Sequence, residues 1–180
     1  MALAGFTKIC SKNTPGNSLL WLIEASKLNS VTITGDEVTA ISTDATGDDF
    51  QVYEVDQDTL VRTEEGTGTG SNMSYIHAIE FSFSKPSAAM RTSINALADA
   101  SPCGIVAIMR DGNGVYWLVG YNATDLASRG LKLVSDTMTT GTAPDDEEGS
   151  KDIIRLETKS GFKAVPLDAT PSATGPTILA

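Results

Sequence analysis

The stretch from Met73 to Gly120 constrains this chain most, because it reads as strand, helix, strand, tight turn and strand with every boundary marked. Tyr75, His77, Ile79, Phe81 and Phe83 fall on one face at the two-residue period of a strand. Ser84 is a candidate helix cap, with Pro86 in the first turn, where its missing N–H costs nothing. Met90, Ile94 and Leu97 then recur at helical spacing, with Ala89 and Ala98 beside them, so one stripe of a helix over 86–100 is expected to be core. Asp99 to Pro102 ends it. Cys103 to Met109 is nearly all apolar and short, as a strand covered on both faces must be. Arg110 to Gly114 offers Asp-Gly and Asn-Gly pairs for a hairpin turn, and Val115 to Gly120 returns.

A chain of 180 residues with 41% hydrophobic content supports one packed domain over 1–180. Few aromatics (6%) and many Thr, Ser and Gly suit a mainly β protein. Residues 1–18 read as an N-terminal arm and 167–180 as a Pro- and Thr-bearing tail, neither with a core-forming period. Between them, Leu19 to Ala25 is a buried-strand candidate. Val31–Ile33 and Val38–Ile41 form a meander around Gly35, and Leu131–Val134, Ile153–Glu157 and Phe162–Pro166 are later strands.

Phe50 to Glu65 alternates along its length and stops at Gly66-Thr-Gly-Thr-Gly70-Ser-Asn72, which reads as a flexible tip. Residues 50–83 are therefore expected to form one long projecting hairpin whose exposed edges invite pairing with another subunit. Gly66, Gly68, Gly70 and Asn72 are its candidate inter-subunit contacts.

Charge is concentrated in the same region. Of the 23 acidic and 13 basic residues, ten acids and one base (Arg62) lie between Asp36 and Glu65, giving that segment −9 of the chain's −10. An acidic protein is poorly suited to gripping nucleic acid through its phosphates. The imbalance fits either a solvated sheet face or a surface that repels a polyanion. In an unbroken strand Glu54, Asp56 and Asp58 share a side, about 6.6–6.8 Å between successive carboxylates.

No catalytic, cofactor-binding or metal site emerges. The glycine-rich 66–72 stretch lacks the Lys-Ser/Thr ending of a phosphate loop and precedes a strand. His77 is the one histidine, so its default is a packed or interface position, and no serine-nucleophile motif is present. Asp145 to Glu148 lacks the spaced ligands of a calcium loop and reads as a solvated turn. Cys10 and Cys103 read as free buried thiols, though a bridge between them stays open. Trp21 and Trp117 lie in apolar strands and read as core. Met1 to Cys10 lacks the charged and long apolar regions of a secretory leader, and Leu19 to Ile23 is far too short to span a bilayer.

In order and chemistry, residues 19–167 resemble the tail tube (major tail) proteins of long-tailed bacteriophages. The resemblance is carried by the acidic strand Phe50–Asp58, the arm ending Gly66–Asn72, the strand Tyr75–Phe83, the helix Pro86–Ala100 and the hairpin Ile105–Gly120, with Asn113-Gly-Val-Tyr-Trp-Leu-Val-Gly120 at its centre. It implies a β-sandwich or barrel flanked by one helix. It also implies subunits in sixfold rings that stack into a tube with an acidic lumen, lined here by Glu54, Asp56 and Asp58. The implied partners are further copies, other tail proteins and double-stranded DNA in transit. The implied location is the virion tail, assembled in the host cytoplasm with no membrane insertion and no cofactor. Other virion roles (neck, tail completion, capsid decoration) stay open, because the terminal segments align with nothing in that family. A monomeric carbohydrate-binding sandwich is the competing class. It would need exposed aromatics on one face, from Tyr53, Tyr75, Tyr116 and Tyr121.

Overall fold

In the computed structural model, residues 19–44, 49–56, 58–69, 72–111, 115–121, 129–140 and 149–168 are described. The strands are β1 (Leu19–Glu24), β2 (Leu28–Thr34), β3 (Glu37–Thr43), β4 (Gln51–Glu54), β5 (Val61–Thr69) and β6 (Asn72–Ser84). The helix α1 (Ala88–Ala100) follows, then β7 (Ile105–Arg110), β8 (Tyr116–Val119), β9 (Lys132–Thr139), β10 (Lys151–Ser160) and β11 (Val165–Pro166). They form three antiparallel sheets, ordered β11-β8-β7-β1-β4, β5-β6-β10-β9 and β2-β3. The fold is mainly β, a sandwich with one helix.

β7 lies at the centre, and Ile105 to Met109 are all buried, as an apolar run without alternation requires. Its two faces belong to two cores. One face of the five-stranded sheet presents Leu20, Leu22, Tyr53, Ala107 and Met109 to the four-stranded sheet and α1, which answer with Ile79, Phe81, Leu156 and Leu97. The other presents Trp21, Ile23, Val106 and Ile108 to Leu28 and Val38 of the β2–β3 hairpin. That hairpin turns through Gly35 (φ 62°) and Asp36 (φ 77°), the positive φ pair a two-residue turn needs to match strand twist.

Met90, Ile94 and Leu97 are buried on one stripe of α1, flanked by Ala96 and Ala100 rather than Ala89 and Ala98. The helix begins later than its sequence suggests. Ser84 is still in β6, opposite Lys151, and Lys85 (φ 56°) turns the chain, so the cap is Ser87, whose hydroxyl accepts the Met90 N–H at 3.2 Å.

Two further departures follow from how strands are shared between sheets. The alternating run from Phe50 to Glu65 is not one strand. β4 ends at Glu54 in the five-stranded sheet, the chain crosses, and β5 starts at Val61 in the four-stranded sheet. Residues 66–72 are also not all tip, because β5 pairs with β6 out to Thr69↔Asn72. Gly66 and Gly68 therefore lie inside a strand, opposite Tyr75 and Met73, and Asn72 opens β6. Gly68 has φ 132°, and a Cβ there would sit 2.1 Å from the Asn72 carbonyl oxygen. Gly70 lies outside the described residues, as do the 1–18 arm, Cys10, the acidic turn 145–148 and the tail beyond 168. The first tail residues are docked: Leu167 bridges Val38, and the Asp168 N–H donates to the Val38 carbonyl at 3.0 Å. Of the 162–166 strand only Val165 and Pro166 pair, with β8. Cys103 is a free, exposed thiol instead of a buried one, since it closes the turn after α1 rather than entering β7.

Candidate self-assembly edges

The four-stranded sheet leaves a nine-residue strand, β5, and an eight-residue strand, β9, at its two edges. Each pairs with a neighbour on one side alone among the described residues, which leaves outer backbone groups for another strand, apart from the Leu133 N–H, which donates to Ser101 Oγ at 2.7 Å. Large apolar side chains are exposed there: Val61 (48%) on β5, and Val134 (59%) and Met138 (51%) on β9. Neither strand contains proline, and lysine occurs just once, at Lys132. Proline and lysine are two of the usual devices that blunt a free edge; a third, a bulge, is present in β9, where Val134 is an extra residue between Leu133 and Ser135.

The sheet's outward face is of mixed charge. Register places Glu80 beside Arg155 and Glu157 beside Lys132, with Glu65, Lys159 and Lys151 on the same side. That is three acids against four bases. Arg155 is taken up by two of them, Nη2 reaching Glu157 Oε2 at 3.0 Å and Nη1 reaching Glu80 Oε2 at 3.7 Å.

Glu54, Asp56 and Asp58 do not form a row. Glu54 ends β4, half-buried. Asp56 is buried in the crossing, where its Oδ2 accepts the Ser84 hydroxyl at 2.5 Å. Asp58 is exposed in a turn at φ 61°. The strand period that would align them is lost because the chain changes sheets there. Other described acids of the 36–65 segment scatter likewise: Asp36 and Glu37 lie at the β2–β3 turn and Glu65 on the outward face, while Glu64 points inward.

Two polar groupings escape a reading by motif. His77 is 3% exposed, and its Nε2 lies 2.8 Å from the Phe162 carbonyl, an acceptor, so Nε2 carries the hydrogen. Its Nδ1 faces Glu64 Oε2 at 3.5 Å. The same oxygen accepts the Ala164 N–H at 3.1 Å and lies 3.3 Å from Arg62 Nη1. The Arg62 guanidinium covers the half-buried Trp117 ring, 4.4 Å from its centroid. This cluster ties the β5–β6 hairpin to residues 162–164. Counting back from the hairpin turn would have paired Glu64 with His77. The second grouping is Asp152 with Asp136; the alternation of Asp152 with Ile154 and Leu156 already assigns it to the buried side.

Other chemistry finds little support among the described residues. No three His, Cys, Asp or Glu side chains converge as a metal site would need, and no helix is long and apolar enough to cross a membrane. The four tyrosines make no exposed platform. Tyr53 is fully buried, its phenol pushed well above the usual range by that burial, and Tyr75, Tyr116 and Tyr121 are half-buried on different elements. The chain matches no protein-family model, and no curated protein matches it in sequence.

Proposed function

We propose that this chain is a structural virion subunit whose copies join edge to edge into rings, and that the rings stack into a tail tube conducting double-stranded DNA. What supports this is the strand arithmetic of the β5-β6-β10-β9 sheet. Every pair in it is antiparallel, and the number of strands is even, so β5 and β9 run in opposite directions. Copies related by rotation about a ring axis therefore bring β9 of one against β5 of the next in antiparallel sense. The sheet continues without a break, and closing the ring removes the free edges.

In such a ring one face of the joined sheet is already buried by the sandwich core, and the mixed-charge face is left to line the channel. Arg155, held between Glu80 and Glu157, offers phosphates no unpaired guanidinium. With three acids against four bases the lining is close to neutral and not the acidic one the resemblance implies, and pairing within the face leaves phosphates few cations to bind. The sixfold count, the other tail proteins as partners and the location in a virion come from the resemblance to tail tube proteins.

Negative-stain electron microscopy of the purified chain tests the proposal. Rings or tubes with an axial channel are expected; uniformly dispersed particles at high concentration would count against it.

A further inference from the structure

Asp152 lies on β10 on the core side with Ile154 and Leu156. It is 4% exposed, and its Oδ1 has no hydrogen-bond partner. On the adjoining edge strand, Asp136 stands opposite Ile154, which places it diagonally across from Asp152 on the same face of the sheet. The elements packed around Asp152 contribute few other polar groups. β6 places Phe83 opposite it, β9 places Met138 opposite it, and α1 brings Arg91 near. Just beyond, the register slips between Arg155 and Leu156, which leaves Val134 as an extra residue on β9. β9 is thus joined to the sheet through an irregular ladder with two carboxyl groups across it.

Two carboxylates diagonal to each other on one face of adjoining strands, Asp136 exposed and Asp152 out of water, cannot both ionise cheaply. If one keeps its proton, its O–H donates to the other's carboxylate, and the repulsion becomes a charge-assisted hydrogen bond. The environment acts on Asp152 in that sense. Burial first, then the hydrogen bond and charge of Asp136, raise it from 3.8 to about 6, while Arg91 pulls the other way.

We propose that Asp136 and Asp152 share one proton and form an acid-dependent clasp that holds the edge strand β9 against β10. When the proton leaves to solvent, the two carboxylates repel across the ladder and β9 loosens at the bulge. The clasp is a property of the single subunit. Its consequence for ring closure, a β9 edge kept loose at neutral pH and firm in acid, rests on the edge-pairing proposal.

Amide hydrogen exchange on the full chain, dilute enough to be dispersed, tests this at pH 5 and pH 8 after correction for intrinsic exchange. Protection of Leu133 to Thr139 should fall about tenfold or more between the two, while protection of Ile79 to Phe83 in β6 holds. Asp152→Asn, nearly isosteric, should leave β9 protection alike at both pH values, and Asp136→Asn should do the same. Equal β9 protection in the unaltered protein at pH 5 and pH 8 would overturn the clasp, as would an undiminished fall in both variants. Because the signal arises within one subunit, either result stands whether or not copies assemble.

Discussion

Ser84 donates its hydroxyl to Asp56 Oδ2 at 2.5 Å, joining the end of β6 to the segment that crosses between the two main sheets. Backbone bonds reinforce the junction: the Asp56 N–H reaches the Ser82 carbonyl at 2.9 Å, and the Ser82 N–H reaches Thr59 Oγ1 at 3.2 Å. The Thr59 hydroxyl in turn donates to the Asp56 carbonyl at 2.8 Å. This knot fixes Asp56 and Thr59 of the crossing against the end of β6. Ser84→Ala should cost about 1–3 kcal/mol in urea unfolding, because the buried Asp56 carboxylate loses a donor, and Ser84→Thr should restore most of it. An Ala variant as stable as the parent would mean that the crossing is held by backbone alone.

Leu97 tests the layer under α1. It is fully buried with Phe81, Leu20 and Met109 in the larger core. Leu97→Ala should destabilise by about 2–5 kcal/mol, depending on how far the site collapses. A loss within about 0.5 kcal/mol is the signature of a surface position and would contradict the packing.

Glu64 is predicted to act as a local tie. Its Oε2 holds the Ala164 N–H and faces both His77 and Arg62. Glu64→Ala should speed tryptic cleavage after Lys163 several-fold while leaving the far-ultraviolet circular dichroism unchanged. Unaltered cleavage would show that residues 162–164 are fixed by other contacts.

Asp152 predicts a signed pH dependence. Its folded-state value is raised to about 6 from 3.8, so between those values the folded protein binds more protons than the unfolded chain. Stability from this group is therefore full below about pH 4 and is lost as the pH rises through about 6. The quantity to measure is the difference between the parent and Asp152→Asn. The variant should gain on the parent as pH rises from 4 to 7; a constant difference would mean that Asp152 keeps an ordinary carboxyl value.

Local pattern carried much of the fold. The apolar run from Cys103 to Met109 read as a doubly covered strand, which the structure begins at Ile105, and Met90, Ile94 and Leu97 read as one helix face, as they are. Structure departs from local pattern where long-range partners decide. Alternation from Phe50 to Glu65 is continuous in sequence, but period two says nothing about which sheet a strand joins. The switch at Val55 to Leu60 depends on Ser82 and Ser84, far along the chain. That single crossing disperses Glu54, Asp56 and Asp58. The glycines at 66 and 68 mislead for a related reason: glycine-rich sequence suggests a loop, yet here it accommodates a close approach to β6, with Gly68 at a φ that other residues resist. The helix cap moved from Ser84 to Ser87 because the pairing of β6 with β10 extends that strand through Ser84.

Complementation between blocked edges tests the assembly account most directly. Val61→Lys with Thr63→Lys places charge on β5, and Val134→Lys with Met138→Lys places charge on β9; Val61, Val134 and Met138 are exposed in the subunit, so both variants should fold. Each variant alone keeps one open edge and should sediment as a monomer, whereas the unaltered chain should form rings. Mixed, the free β9 of the first and the free β5 of the second can make one joint and no more, so sedimentation velocity should show a one-to-one dimer. Ring formation by either variant alone, or a mixture that stays monomeric while the unaltered chain assembles, would contradict pairing of β5 with β9.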